Sequence, residues 1–160
     1  MGSARLLAAA ALLLGYGSAA IAQAPPQHLP IEARWCLANG RCILLEVADE
    51  PQEQSKGLQL RPPLPPLQGM WFPFRQPSPA RFWMHRTPEP LDMLFVQDGR
   101  VVAIEAQAQP CMHLPCRSYG SDQPVNGVLE LAGGQAAALQ IVVGTPVRIE
   151  PQAALSGGGR

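Results

Sequence analysis

Residues 69–102, GMWFPFRQPSPARFWMHRTPEPLDMLFVQDGRVV, decide the fold. They hold all four Phe and two of the three Trp of the chain. Residues 91–97, the pair Asp98-Gly99 and residues 100–108 read as a β-hairpin with a type I′ turn, which sets Gln97 against Arg100 and Val96 against Val101. The first arm, LDMLFVQ, is apolar on both faces except at Asp92, the pattern of a central strand covered on both sides. A carboxylate at that position is costly unless it is hydrogen-bonded or paired, and Arg81, His85, Arg86 and the Thr87 hydroxyl are its nearest candidates in sequence. Upstream, residues 69–74 read as a strand or bulged strand and residues 81–84 as another.

Working outward toward the N-terminus, residues 61–67, RPPLPPL, must be extended, because each Pro fixes its own φ and biases its predecessor away from helix. Asp49 with Gln52 fits a capped helix start and Gly57 a stop, which predicts a short helix over residues 50–56. Before it, IEARWCL and CILLEV flank a turn at Ala38, Asn39 and Gly40. A two-residue loop would send Cys36 and Cys42 to opposite faces. A three-residue loop with Gly40 left-handed sets them directly across from each other, and in an exported protein this second register, with a disulfide, is the one expected. Residues 23–30, QAPPQHLP, read as an extended, mobile lead-in with a solvated His28. Residues 1–22 carry one charge at Arg5, an apolar run over residues 6–14 and a small-x-small ending at Ala20-Ile21-Ala22, the three-part pattern of a cleavable secretory signal.

Toward the C-terminus, Cys111 and Cys116 flank a four-residue loop, and in an exported chain a second local disulfide is expected. Residues 121–127, SDQPVNG, read as a polar loop, residues 128–131 as a strand and residues 135–140 as a short helix after the Gly133-Gly134 break. Residues 141–143 and 147–149 read as two closing strands, and residues 151–160 as a disordered tail. The fold class expected from these elements is mainly β, a compact barrel or sandwich with one or two short helices. The single domain spans residues 31–150.

Removing residues 1–22 from 160 leaves 138, enough for one domain with a real core. Loss of Arg5 leaves 11 basic against 12 acidic residues, a net charge of −1, and the basic residues are not clustered. Such a chain builds no positive field for nucleic acid or an anionic bilayer, so neither partner is expected, nor stable membrane insertion once the signal is removed. The 18 Pro and 15 Gly favour turns over long helices.

Several segments occur in an order that resembles the domain of unknown function 192 (DUF192) family: GLQLR at residues 57–61, GMWFPF at 69–74, FWMHRTPEPLDMLFV at 82–96, DGRVVAI at 98–104, Pro110-Cys111, VLELAGG at 128–134 and IVVGTPV at 141–147. The resemblance covers residues 44–150. It implies a compact, mostly β barrel or sandwich with short helices, often exported, and brings no activity with it. Asp92 and Glu130 match the family's carboxylate positions, and Trp83 and Met84 its aromatic and thioether pair. Gln59, His85 and Arg86 depart from the usual Met, Lys and Asn.

For function, the chain has no GxSxG, phosphate loop, dinucleotide fingerprint or HExxH. The leading expectation is a non-catalytic periplasmic or secreted module that binds a small molecule or an envelope protein, without a cofactor. Its expected ligand-binding residues are Trp83, Met84, His85, Arg86, Asp92 and Glu130, a plausible pocket lining of aromatic and polar groups. One alternative is a hydrolase or lyase on an envelope polymer, with Asp92 and Glu130 converging as paired carboxylates and His85 as proton carrier. Another is copper handling by the soft ligands Cys111, Met112, His113 and Cys116, supplemented by Met84 and His85. It requires free thiols.

Overall fold

The hairpin at the centre of the chain is present in the computed structural model, which describes residues 24–152. The expected signal segment at residues 1–22 and the tail beyond Gln152 lie outside the described residues. Strand β4 (Leu91–Gln97) pairs with β5 (Arg100–Ala108), with Gln97 opposite Arg100 and Val96 opposite Val101. Asp98 and Gly99 both have positive φ, as the type I′ turn demands. Five further strands complete a seven-stranded sheet: β1 (Ile31–Cys36), β2 (Cys42–Val47), β3 (Gln68–Trp83), β6 (Ser118–Ala132) and β7 (Ile149–Pro151), in the order β5-β4-β6-β3-β2-β1-β7. All pairs are antiparallel except β2 with β3, whose crossover carries helix α1 (Pro51–Lys56) and the Pro-rich run. A second helix, α2 (Gln135–Ala138), follows β6. Among the described residues the class is mainly β with two short helices. The sheet is sandwich-like and not closed into a barrel.

Alternation along the strands produces two cores, one on each face. Met70, Phe72, Met93, Phe95 and Val128 fill one, closed by Leu58, Leu64 and Met84. Trp35, Ile43, Leu45, Leu94, Val96, Leu129 and Leu131 fill the other, covered by α2 and by Ile141 and Val147. Strand β4 contributes to both, which is why its sequence is apolar throughout.

The expected loop at residues 121–127 is instead the middle of β6, and the two expected strands at residues 69–74 and 81–84 are the ends of one bent strand, β3. Between Pro73 and Ser78 four residues of β3 face the single residue Asn126 of β6, a wide irregularity that bends the pair. The bend brings Phe82 edge-on to Phe72, with ring centroids 5.1 Å apart. Polar and Pro residues are tolerated in these strands because residues 75–79 and 122–124 are exposed, so alternation there carries no burial signal.

The β1–β2 loop has the three-residue form: Cys36 lies opposite Cys42, the two are disulfide-bonded, and Gly40 is left-handed. Helix α1 starts one residue later than expected, with Glu50 as N-cap and Glu53 completing the capping box. The lead-in is docked rather than mobile: Gln27 Nε2 donates to the carbonyls of Glu53 and Gly57 at the end of α1, and the Leu29 N–H donates to Glu46. Residues 141–143 form no strand, and Val142 and Val143 are exposed in a turn. Pairing continues beyond the expected boundary at residue 150, because Pro151 faces Ala33 and the Gln152 N–H donates to the Glu32 carbonyl.

Candidate functional site

The second half of β3 presents Arg81, Phe82 and Trp83 beside α1. Trp83 is 50% exposed at the end of a strand whose neighbour Met84 is buried. Its indole lies 5.3 Å from the His85 ring, tilted by 48°. Trp83 borders a cleft of about 410 Å³ whose walls are Phe72, Phe74, Phe82 and Arg81 from β3, with Gln54 and Ser55 from α1. Gln54 fixes the helix there, its Nε2 donating to the carbonyls of Ala48 (3.1 Å) and Pro73 (2.9 Å). Arg81 is held at the rim by the Ser121 carbonyl and the Asp122 carboxylate. The cleft combines aromatic walls with a few polar groups, the usual makeup of a small-ligand site.

Across α1 a second cleft, of about 460 Å³, is lined by Lys56, Gln59, Leu60 and Arg86 and again by Ser55. Trp83 and Arg86 therefore flank the same helix but open on different clefts. His85 lies between them in sequence and pairs across an isolated bridge with Cys111.

The structure does not bring Met84, Asp92 or Glu130 to this surface. Met84 is a core residue. Asp92 is fully buried, and its Oδ1 accepts the N–H groups of Gln107 (2.8 Å) and Gly134 (3.0 Å) while Oδ2 accepts that of Ala136 (2.8 Å). It thereby satisfies the start of α2, whose N-cap is a Gly with no side chain to do so. None of Arg81, His85, Arg86 and Thr87 is its partner. Glu130 is buried between Met70 of β3 and Met93 of β4, and burial pushes its carboxyl up to about 8. Because Asp92 pairs with Leu131 while Met93 pairs with Glu130, the two carboxyl groups point to opposite faces of the sheet. They do not form the paired arrangement that acid–base hydrolysis needs.

Cys111 and Cys116 are joined in a disulfide, so the thiol pair that copper handling requires is absent from this form. Among the described residues no group of three or more His, Cys, Asp or Glu side chains is placed to hold a metal ion. The loop is stapled to the Trp83 region: the Cys111 N–H donates to the Met84 carbonyl and the Arg86 N–H to the Cys111 carbonyl.

Sequence reasoning missed Phe72, Phe74 and Phe82 as cleft walls, and Lys56. The signal for the first two was present, since residues 72 and 74 share a face of a strand. It also missed the buried pair of Arg61 with Glu46, at 2.7 Å, because the partners come from separate segments and meet only through the parallel β2–β3 pairing.

Residues 35–149 match the DUF192 family, described as Uncharacterized ACR. A crystal structure of a protein of unknown function from Novosphingobium aromaticivorans is similar at 36% identity with a TM-score of 0.66, over 85% of this chain and 99% of that one. A crystal structure from Sinorhizobium meliloti, of a protein described as a candidate transcription regulator, is similar at 34% identity with a TM-score of 0.64, over 75% and 92%. No curated protein matches the chain.

Proposed function

The chain belongs to the DUF192 family, and we propose that it is an exported, non-catalytic module that binds a flat apolar group of a small molecule or an envelope protein in the cleft between α1 and β3. The observation that carries this reading is Trp83, a large aromatic side chain left half exposed beside the aromatic wall of Phe72, Phe74 and Phe82. Such a group adds binding area at small cost in lost rotamer freedom. Export is supported by the pattern of residues 1–22 and by two closed disulfides, which persist in oxidising compartments. No helix among the described residues is long and apolar enough to cross a membrane.

The separation of Asp92 and Glu130 disfavours the hydrolase reading, and the Cys111–Cys116 disulfide disfavours copper. The regulator description belongs to the Sinorhizobium protein. This chain has 12 basic and 12 acidic residues, with the basic ones spread along the sequence and not clustered as a phosphate backbone would favour.

Titration with indole, followed by the indole N–H resonances of the protein, tests the cleft. A saturable shift of the Trp83 resonance and of the Gln54 and Phe82 amides is expected, and in Trp83→Ala the amide shifts should be lost with the denaturation midpoint nearly unchanged because the side chain is at the surface. Binding that persists in Trp83→Ala, or no saturable shift in the parent, would remove the proposal.

A further inference from the structure

We propose that the cleft on the other side of α1 is an oxyanion site, in which Arg86 and Lys56 hold the carboxylate or phosphate group of a small ligand. This goes beyond the aromatic cleft and does not require it, because only Ser55 lines both.

Arg86 is placed with care. Its backbone is left-handed (φ 58°), as is that of Leu60 (φ 60°), a region that bulky side chains rarely occupy. The two strained residues are bonded to each other, the Leu60 N–H donating to the Arg86 carbonyl at 2.7 Å, and the Arg86 N–H donates to the Cys111 carbonyl at 2.9 Å. Backbone strain held by surrounding structure concentrates at binding sites. The guanidinium at the end of this fixed backbone is not satisfied: Nη2 is buried without an acceptor among the described residues, while the side chain as a whole is partly exposed and lines the cleft. A small rotation toward the cleft would give this donor the partner that buried polar groups require.

The cleft supplies a second cation and no competing acid. Lys56 lies in the last turn of α1, and neither it nor Arg86 forms an ion pair among the described residues. The remaining polar lining is neutral, from Gln52, Ser55 and Gln59. A planar guanidinium fork matches two oxygens of a carboxylate or phosphate, and an ammonium adds a point charge. At about 460 Å³ the cleft also has room for the body of a small ligand beyond its anionic group.

The test uses the isotope-labelled full-length mature protein, with sodium phosphate and sodium acetate each titrated against sodium chloride at equal ionic strength. The amide resonances of Gln59, Leu60 and Arg86 should shift saturably with one or both oxyanions and not with chloride. A response to phosphate alone identifies a phosphate site, and a response to acetate alone a carboxylate site. Arg86→Gln should weaken binding about tenfold or more, as loss of a bidentate charged contact does, and Lys56→Gln severalfold. Trp83→Ala should leave it unchanged, so failure of the aromatic cleft and failure of this site are separable. Should Arg86→Gln not fold, Lys56→Gln on the surface helix decides alone. Equal shifts in chloride, no saturable shift with either oxyanion, or undiminished binding in the folded variants would overturn the proposal.

Discussion

Two carboxyl groups one residue out of step across β4 and β6 have opposite thermodynamic roles. Asp92 accepts three backbone N–H groups, and an amide at that position would turn a donor toward one of them. Asp92→Asn is therefore expected to cost about 3 kcal/mol of stability in chemical denaturation, with indole binding by the folded fraction unchanged. Glu130 lies between two Met side chains, and burial raises its carboxyl from 4.5 to about 8. Between those values the folded protein holds a proton that the unfolded chain has released. Stability from this group is thus full below about pH 4.5, declines as pH rises toward 8 and levels off above. Denaturation at pH 5 and pH 8 should show the parent losing a few kcal/mol from this group across the interval, and Glu130→Gln should flatten the slope. A slope identical in the two proteins would mean that Glu130 is solvated.

At the level of elements, the two disulfides close loops of similar length, with separations of 6 and 5 residues. Each is expected to contribute about 2 kcal/mol by restricting the unfolded chain. Their effects on the site differ, because only Cys111 is bonded through its backbone to Met84 and Arg86. Cys111→Ser with Cys116→Ser should therefore move the Trp83 indole resonance, while Cys36→Ser with Cys42→Ser should lower the denaturation midpoint and leave that resonance in place. The lead-in acts as a clamp on α1. Gln27→Ala removes two bonds to the helix end, and hydrogen exchange at the amides of residues 54–57 should rise roughly fivefold, as loss of about 1 kcal/mol of local stability implies.

Across the whole molecule, the segment leading into β7 ties the two edges of the open sheet together. The Val101 N–H donates to Thr145, the Gly144 N–H to Val101 and the Val147 N–H to Gly99, next to the β5 edge, while β7 pairs with β1 at the other edge. Trp35 joins the same tie from β1, its Nε1 donating to the Pro146 carbonyl from a buried position. Trp35→Phe should lower unfolding free energy by about 2–4 kcal/mol in one cooperative transition, from lost packing and one unsatisfied carbonyl. A separate early transition for β1 and β7 would show instead that the tie does not couple the edges.

What the sequence determined by itself were the features set by neighbours in the chain. The type I′ turn at Asp98-Gly99, the doubly covered β4 and the mainly β class follow from local φ preferences and period-two alternation, whereas the Cys36–Cys42 register is one of two that the turn sequence allows and is favoured only by the expectation of export. Half of the candidate site was legible for the same reason, since Trp83 and Arg86 lie within one short segment. Only the tertiary structure decided the rest. Which face Asp92 and Glu130 take depends on the β4–β6 register, and the bend that sets Phe82 on Phe72 depends on a mismatch between strands far apart in sequence. The pairing of α1 with Trp83 on one side and Arg86 on the other exists only because the parallel β2–β3 crossover carries the helix back beside β3, a long-range contact that leaves no periodicity in the chain.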